Sequence, residues 1–340
     1  MNAALDDIYA FNLASSGKLE LRAKGLLAEG TAEAVFQASA LLHEAARIQR
    51  LAVDALPSCP PVTRLAAAAE ECWCLIEGRD PIGAVNAWGQ VLRSREGVDS
   101  ETAKGVLSRV APRFEALRLE FSELMASSPM LFAIMQAGSL GSLALSDRKH
   151  ARRDIARALM KFPGSPGLWY LQYRLEEADE AKRAAWESLS RARTLTPNPR
   201  FVALSLVVAT WALPAHEAEE HIAGIRGALD RAPADICLMY GLAEINLAKK
   251  GSDLNTRWSR ALEAVNAGLT RATRERLRQN LKATQLLLIE LLAGREPTME
   301  IFYLAGIGDL VSTAKRSANV IDLLTAGLRL NTPEPERDAA

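Results

Sequence analysis

The regular spacing of proline constrains this fold more than any other feature of the sequence. Pro129, Pro163 and Pro197 lie 34 residues apart, and Pro233 follows 36 residues later. Proline lacks a backbone N–H and ends a helix that runs into it, so the spacing predicts a repeated helical unit. Small or apolar residues stand twelve, eight and five positions before each proline: Leu117, Phe121 and Leu124; Ala151, Ile155 and Ala158; Ala185, Leu189 and Ala192; His221, Ile225 and Ala228.

The rest of the sequence indicates a single type of secondary structure. Alanine and leucine dominate, apolar residues recur at three- and four-residue steps, and strict two-residue alternation is missing. This pattern is typical of amphipathic helices, and the short breaks between them favour antiparallel helix pairs. At the N-terminus we expect a short helix, a second over 18–28 and a long third over 32–56, with Thr31 as its N-cap. The prediction is an all-α protein.

The repeat resembles the tetratricopeptide repeat, a helix-turn-helix unit of about 34 residues. Two further sets keep the same order, Ala84, Trp88 and Val91, and Ala261, Val265 and Gly268. The resemblance implies a right-handed α-solenoid with four parts: an N-terminal helical segment over 1–60, the repeat array over 61–270, capping helices over 271–330 and a disordered tail over 331–340. The alternative is a non-repetitive helical bundle in which the regular proline spacing is a coincidence.

The resemblance also implies a binding surface, because the first helix of each pair lines the concave face of such an array. The residues expected on that face are Trp169, Tyr170, Tyr173, Arg174, Phe201, Leu204, Val208, Trp211, Tyr240 and Glu244. Aromatic anchors in a groove suit an apolar helix or an extended peptide of another protein, or a second copy of this chain. The alternative is that these side chains only pack between helices.

Charge is balanced over the whole chain but uneven along it. Forty-one basic residues match forty-one acidic ones, which excludes a global attraction to nucleic acid or to an anionic membrane. Residues 147–161 nevertheless carry six basic and two acidic residues, and 249–282 carry nine and three. In the first run, one-turn steps place four cations in a stripe on one helix face: Lys149, Arg153, Arg157 and Lys161.

Three interpretations of the stripe remain open. It is a solvated outer face, a docking surface for an acidic protein, or a contact for nucleic acid. Few aromatic residues accompany the basic runs, only Phe162 and Trp258, which disfavours stacking on single-stranded nucleic acid. Nucleic acid is therefore the weaker candidate partner and another protein the stronger one.

Catalytic and metal-binding motifs are weak. His216 and His221 are five residues apart, which turns the second imidazole about 140° away from the first, whereas a helical zinc pair needs a spacing of four. Ser-x-x-Lys occurs at 15–18 and 312–315 without its companion motifs, and the glycines of 306–308 form too short a loop for a dinucleotide. We expect no enzymatic activity, no cofactor and no metal. A helical enzyme or small-ligand binder is the least favoured alternative.

The four cysteines are too few for a disulfide framework and indicate reduced thiols. The first residues lack the basic, then apolar, order of a signal peptide, and the uncharged stretches 126–146 and 201–215 fit buried helices better than membrane spans. These features favour a cytoplasmic location without a membrane span. The function that the sequence favours is a non-catalytic adaptor or scaffold for protein–protein interaction.

Overall fold

The computed structural model describes residues 2–54, 59–137, 145–196, 198–248 and 253–295. Within these ranges the chain forms fifteen α-helices, a short 3-10 helix at Leu229–Arg231 and no β-strand, which confirms the all-α prediction for this part. The helices are α1 (Asn2–Glu29), α2 (Ala32–Asp54), α3 (Pro61–Glu77), α4 (Pro81–Ser94), α5 (Ser100–Leu107), α6 (Val110–Ala126), α7 (Pro129–Ala137), α8 (Leu145–Lys161), α9 (Pro166–Ala178), α10 (Lys182–Leu195), α11 (Pro199–Ala212), α12 (Ala215–Arg226), α13 (Ala234–Ala248), α14 (Leu254–Arg271) and α15 (Glu275–Leu292).

Several sequence predictions fall outside the described residues. These are the part of the capping helices expected beyond 295, the tail over 331–340 and the motifs at 306–308 and 312–315. Among the described residues, no helix is both long and apolar enough to cross a bilayer.

Local sequence explains where the helices begin. Proline occupies the first helical position of α3, α4, α7, α9 and α11, where its missing N–H would have no partner in any case. The Thr31 hydroxyl accepts a hydrogen bond from the Ala34 N–H at 3.1 Å, which confirms the predicted N-cap of α2. Gly30, just before that cap, has a φ of +68°, a backbone conformation that glycine adopts without strain.

Most of the small and apolar positions before the prolines are buried, although Phe121 of α6 is half-buried. Ala151, Ile155 and Ala158 of α8 are fully buried, and so are Ala185, Leu189 and Ala192 of α10. The fourth set was predicted wrongly. Its members His221 and Ile225 are half-buried and Ala228 is exposed, while α12 buries Ala218 and Ile222 in their place.

The physical reason lies between α12 and α13. The helix stops at Arg226, and the 3-10 helix at Leu229–Arg231 takes up the additional residues before Pro233. Counting back from the proline therefore selects the wrong helix face. A second correction concerns the N-terminus, where α1 is one continuous helix instead of two. Gly17 lies at an exposed position of α1 with no neighbouring atom near it, and one such glycine lowers helix stability without ending the helix.

The described residues divide into two compact units. The first contains the described residues up to Asp179 together with Ser188–Thr196. In it α1, α2, α3 and α4 pack in succession, α3 also contacts α5 and α6, and α6, α7, α8 and α9 again pack in succession.

The second unit contains Glu180–Glu187 and the described residues from 198 onward. Its central helix, α13, contacts α11, α12, α14 and α15. Because α13 is surrounded, twelve of its fifteen residues are buried.

Candidate functional site

The first predicted groove residue, Trp169, contacts the protein's own N-terminal region. Its indole Nε1 donates to the Pro163 carbonyl at 2.7 Å, and its ring meets Phe36 of α2 edge to face, with the centroids 6.0 Å apart. The Arg191 guanidinium lies 4.8 Å from the Phe36 centroid and 5.0 Å from that of Trp169, and it pairs with Glu33 at 3.2 Å. Helix α2 therefore docks against this face of α9.

The neighbouring aromatic residues of α9 form a local polar cluster. The Tyr173 ring is buried, and its hydroxyl donates to Glu177 at 2.9 Å. Arg174 donates to the Tyr170 hydroxyl at 3.3 Å and lies 3.5 Å from Glu177. Burial, reinforced by the Glu177 carboxylate, raises the pKa of Tyr173, so its phenol stays protonated near neutral pH. Tyr170 and Arg174 keep part of their surface exposed.

The predicted groove residues of the second unit lie mostly inside its core. Phe201, Val208, Tyr240 and Glu244 are buried, while Leu204 is half-buried. Trp211 is also half-buried and packs against the apolar cluster built largely by α13, α14 and α15. These positions favour the alternative of inter-helix packing for the buried members. Partner binding by the remaining groove residues stays a prediction.

Glu244 is held by a buried polar network. It accepts a hydrogen bond from the Tyr240 hydroxyl at 2.8 Å, and Arg257 of α14 lies 3.2 Å from its second oxygen. A further nitrogen of Arg257 pairs with Glu219 of α12. Glu244 is 3% exposed, so the contact with Arg257 is made away from water. The network ties three helices of the second unit together.

The basic stripe of α8, defined as Lys149, Arg153, Arg157 and Lys161, lies on the outside of the first unit. Arg157 is half-buried and the other three are exposed. With the residues that the structure describes, none of the four forms an ion pair. The pattern follows from the helix itself, because the buried Ala151, Ile155 and Ala158 occupy the opposite face and turn the stripe outward.

Two further observations distinguish the stripe from ordinary surface charge. Arg148 and Arg152, also on α8, both pair with Asp179, whose single carboxylate offsets one of their two charges. Met160 lies three turns after Lys149 on the stripe's own face, and 79% of it is exposed, more than any other large apolar side chain that the structure describes. The face of α8 therefore combines cations that pair with no described residue and an exposed apolar group.

A buried His–Asp–Ser trio, which the sequence analysis missed, lies where α2 crosses two turns. His43 Nε2 donates to the Gly164 carbonyl at 2.7 Å and lies 3.6 Å from an oxygen of Asp80. Burial raises the pKa of Asp80, and the His43 ring opposes that shift. Ser165 is completely buried. The three residues of the trio are 37 or more positions apart in the sequence, so no local signal could have revealed the trio.

The trio lacks the geometry of a nucleophilic site. In such a site the carboxylate orients one imidazole nitrogen and the other activates the hydroxyl, whereas here Nε2 serves both the carbonyl and Asp80. The same region is closed by backbone, since a Cβ on Gly164 would lie 1.7 Å from the Gly78 carbonyl oxygen. The trio therefore anchors α2 to the turns at Gly78 and Gly164.

One group of metal-type ligands occurs in the described part of the chain. Glu20 of α1 and Glu70 and Cys74 of α3 each place one donor atom within 4.8 Å of the other two.

The chain matches no known protein-family model and no curated protein.

Proposed function

We propose that the protein is a non-catalytic adaptor of tetratricopeptide-like helix pairs that binds an acidic, partly apolar segment of another protein on the outer face of α8. The observation that carries the proposal is the basic stripe, four cations without a described ion-pair partner on one helix face with the exposed Met160. Elsewhere on α8, Arg148 and Arg152 do have an acidic partner, Asp179. Charge left unpaired is available to a partner.

Helix stacking supports the repeat part of the proposal. In the second unit α11 contacts α13 and α13 contacts α15, while α12 and α14 pack against these helices. Contacts between each helix and the next two along the chain are those that stacked helix pairs use. Burial of the small residues in α8 and α10 agrees with close approach within such pairs.

The dimensions of the stripe fit a helical partner. Lys149 to Lys161 spans twelve residues, or about 18 Å of helix, with one cation in each turn. Carboxylates spaced by four residues on a partner helix repeat at the same interval of about 6 Å. Met160 is flexible and polarizable, and adapts to an apolar residue between those carboxylates. Exposed ion pairs contribute little individually, so the expected binding is salt-sensitive and fast.

A protein segment fits this face better than nucleic acid. Single-stranded nucleic acid needs aromatic rings on which bases stack, and Phe162, which ends the basic run, is fully buried. Met160 adds apolar area, which phosphates do not use. The groove residues support the same choice of surface, since Tyr173, Phe201, Val208 and Tyr240 are already covered by the chain itself.

The test is direct binding of a defined probe. We would titrate the full chain with a fluorescent helical peptide that repeats glutamate every fourth residue and carries leucine between the glutamates. We expect Arg153→Glu with Arg157→Glu to weaken binding at least tenfold, because the substitution reverses charge at the centre of the stripe. Lys104→Glu with Arg113→Glu is the matched control, since both are exposed cations of the same unit away from α8.

Circular dichroism and urea unfolding confirm that both double variants fold. Equal peptide binding by wild type and the stripe variant would overturn the proposal. So would retention of a DNA duplex or oligonucleotide in place of the peptide, which would favour the nucleic-acid alternative.

A further inference from the structure

The ligand group at α1 and α3 has the geometry of a compact cluster. Glu70 and Cys74 are four residues apart on α3 and so lie on one face of that helix. Glu20 of α1 approaches the same face, which brings its carboxylate within 4.8 Å of the Cys74 sulfur and of the Glu70 carboxylate. Helices α1 and α3, which are distant in sequence, thus bring one thiol and two carboxylates together.

Cys74 provides an independent observation, because its thiol is fully buried and unpaired. It is 0% exposed and forms no hydrogen bond with any described residue. Cys72, two residues earlier, instead lies 3.6 Å from the Ala84 carbonyl that its thiol bonds. The carboxylates of Glu20 and Glu70 each place an oxygen within 4.8 Å of the Cys74 sulfur. The sulfur therefore faces negative charge with no described donor or cation in contact with it.

The two carboxylates retain free coordination capacity. Arg109 donates from one nitrogen to both oxygens of Glu70, at 2.8 and 2.7 Å, and lies 4.2 Å from the Trp73 ring centroid. Glu20 accepts one hydrogen bond from Ser16 at 3.3 Å. A carboxylate offers about four lone-pair sites, so each of these groups still has sites for a cation.

We propose that Glu20, Glu70 and Cys74 bind a divalent cation of the zinc type. A thiolate with carboxylates selects Zn²⁺ or Cd²⁺ over Mg²⁺ and Ca²⁺, which take oxygen ligands. Zn–S and Zn–O bonds of about 2.3 and 2.1 Å bring ligand atoms to about 3–4 Å, within reach of small rotations of the two glutamates. Three protein ligands leave a fourth position to water.

Charge and proton balance support the site. On binding, the Cys74 thiol releases its proton to solvent and its sulfur bonds the metal. Three anionic ligands then face one divalent cation and Arg109, which makes the contacting groups neutral as a whole. The metal would cross-link α1 to α3, so binding should raise the melting temperature of the chain.

The test uses the full chain freed of metal with a chelator and titrated with Cd²⁺ or Zn²⁺ alone. We expect one equivalent of Cd²⁺ to produce a thiolate charge-transfer band in the ultraviolet. Cys74→Ser should abolish that band, and Cys72→Ser is the matched control that should retain it. Glu20→Gln should weaken Zn²⁺ binding at least tenfold and remove most of the melting-temperature increase.

Glu20 is half-buried, so Glu20→Gln keeps the test valid even if Cys74→Ser fails to fold. The proposal is overturned if neither metal binds at one equivalent, if Cys74→Ser retains the band, or if Glu20→Gln binds Zn²⁺ as tightly as wild type. Peptide binding at α8 is measured separately, so either proposal can fail alone.

Discussion

Two segments of the chain carry a similar surplus of positive charge, yet the structure uses them differently. Residues 147–161 of α8 expose the basic stripe without described partners. In the described part of 249–282, by contrast, three cations of α14 and of the turn before α15 are engaged: Arg257 with Glu219 and Glu244, Arg271 with two carbonyls, and Arg274 with Asp235. The stripe is a surface, whereas Arg257 and Arg271 are part of the scaffold.

The net charge of a basic run therefore does not reveal whether its cations are paired within the fold. A cation is paired when an acid on another helix reaches it. Glu244 lies 13 residues before Arg257 and Asp235 lies 39 before Arg274, so only the packing of α13 on α14 and α15 brings each pair together. On α8, Asp179 engages Arg148 and Arg152, while the Lys161 charge acts on Glu120 without an ion-pair contact.

The largest expected effect is at Arg257. Arg257→Ala leaves the buried Glu244 charge without its cation, and loss of one partner from a buried pair destabilises a protein by about 3–5 kcal/mol. Urea unfolding of the purified variant measures this. Arg257→Met combined with Glu244→Gln is the control, and it should recover most of the loss because no charge is then buried alone. A loss below about 1 kcal/mol would show that Arg257 is not part of the scaffold.

A smaller effect is expected at Arg271. Its guanidinium donates to the Leu229 and Ala232 carbonyls, at 2.7 and 2.6 Å, and so satisfies the end of the 3-10 helix. Hydrogen bonds from a charged group contribute about 1.5–3 kcal/mol, and we expect Arg271→Ala to lower the free energy of unfolding by about 2 kcal/mol. Hydrogen exchange at Ala232 and Leu229 reports the same loss locally. Unchanged exchange there would contradict the capping role.

The helical class and many helix ends were predictable because their signals are local. Proline and glycine marked the helix ends, Thr31 marked a cap, and three- to four-residue periodicity marked the buried faces of α8 and α10. The two errors arose where a rule based on nearby residues did not decide the structure. Gly17 did not end α1, and the 3-10 helix after α12 shifted the face that is buried.

The candidate sites were less predictable, because they depend on contacts between distant residues. The stripe was visible in the sequence as a four-residue period. Only the structure shows that Asp179 pairs with Arg148 and Arg152 and that the stripe has no described ion-pair partner. Docking of α2 on Trp169 and the convergence of Glu20 with Cys74 join residues 54 or more positions apart. No spacing rule encodes such pairs.

At Arg274 the expected effect is small although the residue is paired. Its partner Asp235 lies 2.6 Å away, but both side chains are about half exposed. Exposed pairs of this kind contribute about 0.5 kcal/mol and are screened by salt. Arg274→Ala should therefore lower the free energy of unfolding by about that amount in dilute buffer. The difference should vanish in about 1 M salt, where the Debye length is about 3 Å. A larger, salt-independent loss would place Arg274 with Arg257 as scaffold.

The smallest expected change in the free energy of unfolding is in the stripe, where the substitution should stabilise the protein instead of destabilising it. Like charges four residues apart on a helix repel by about 0.2–0.5 kcal/mol, and Arg153 has such a neighbour on either side, Lys149 and Arg157. Arg153→Gln removes both repulsions with little change in helix propensity, so the free energy of unfolding should rise by about 0.3 kcal/mol in dilute buffer and by less in salt. Urea unfolding at two salt concentrations measures the change. A loss of about 1 kcal/mol or more would mean that Arg153 has a partner within the chain, and the stripe would then be scaffold like Arg257 and Arg271.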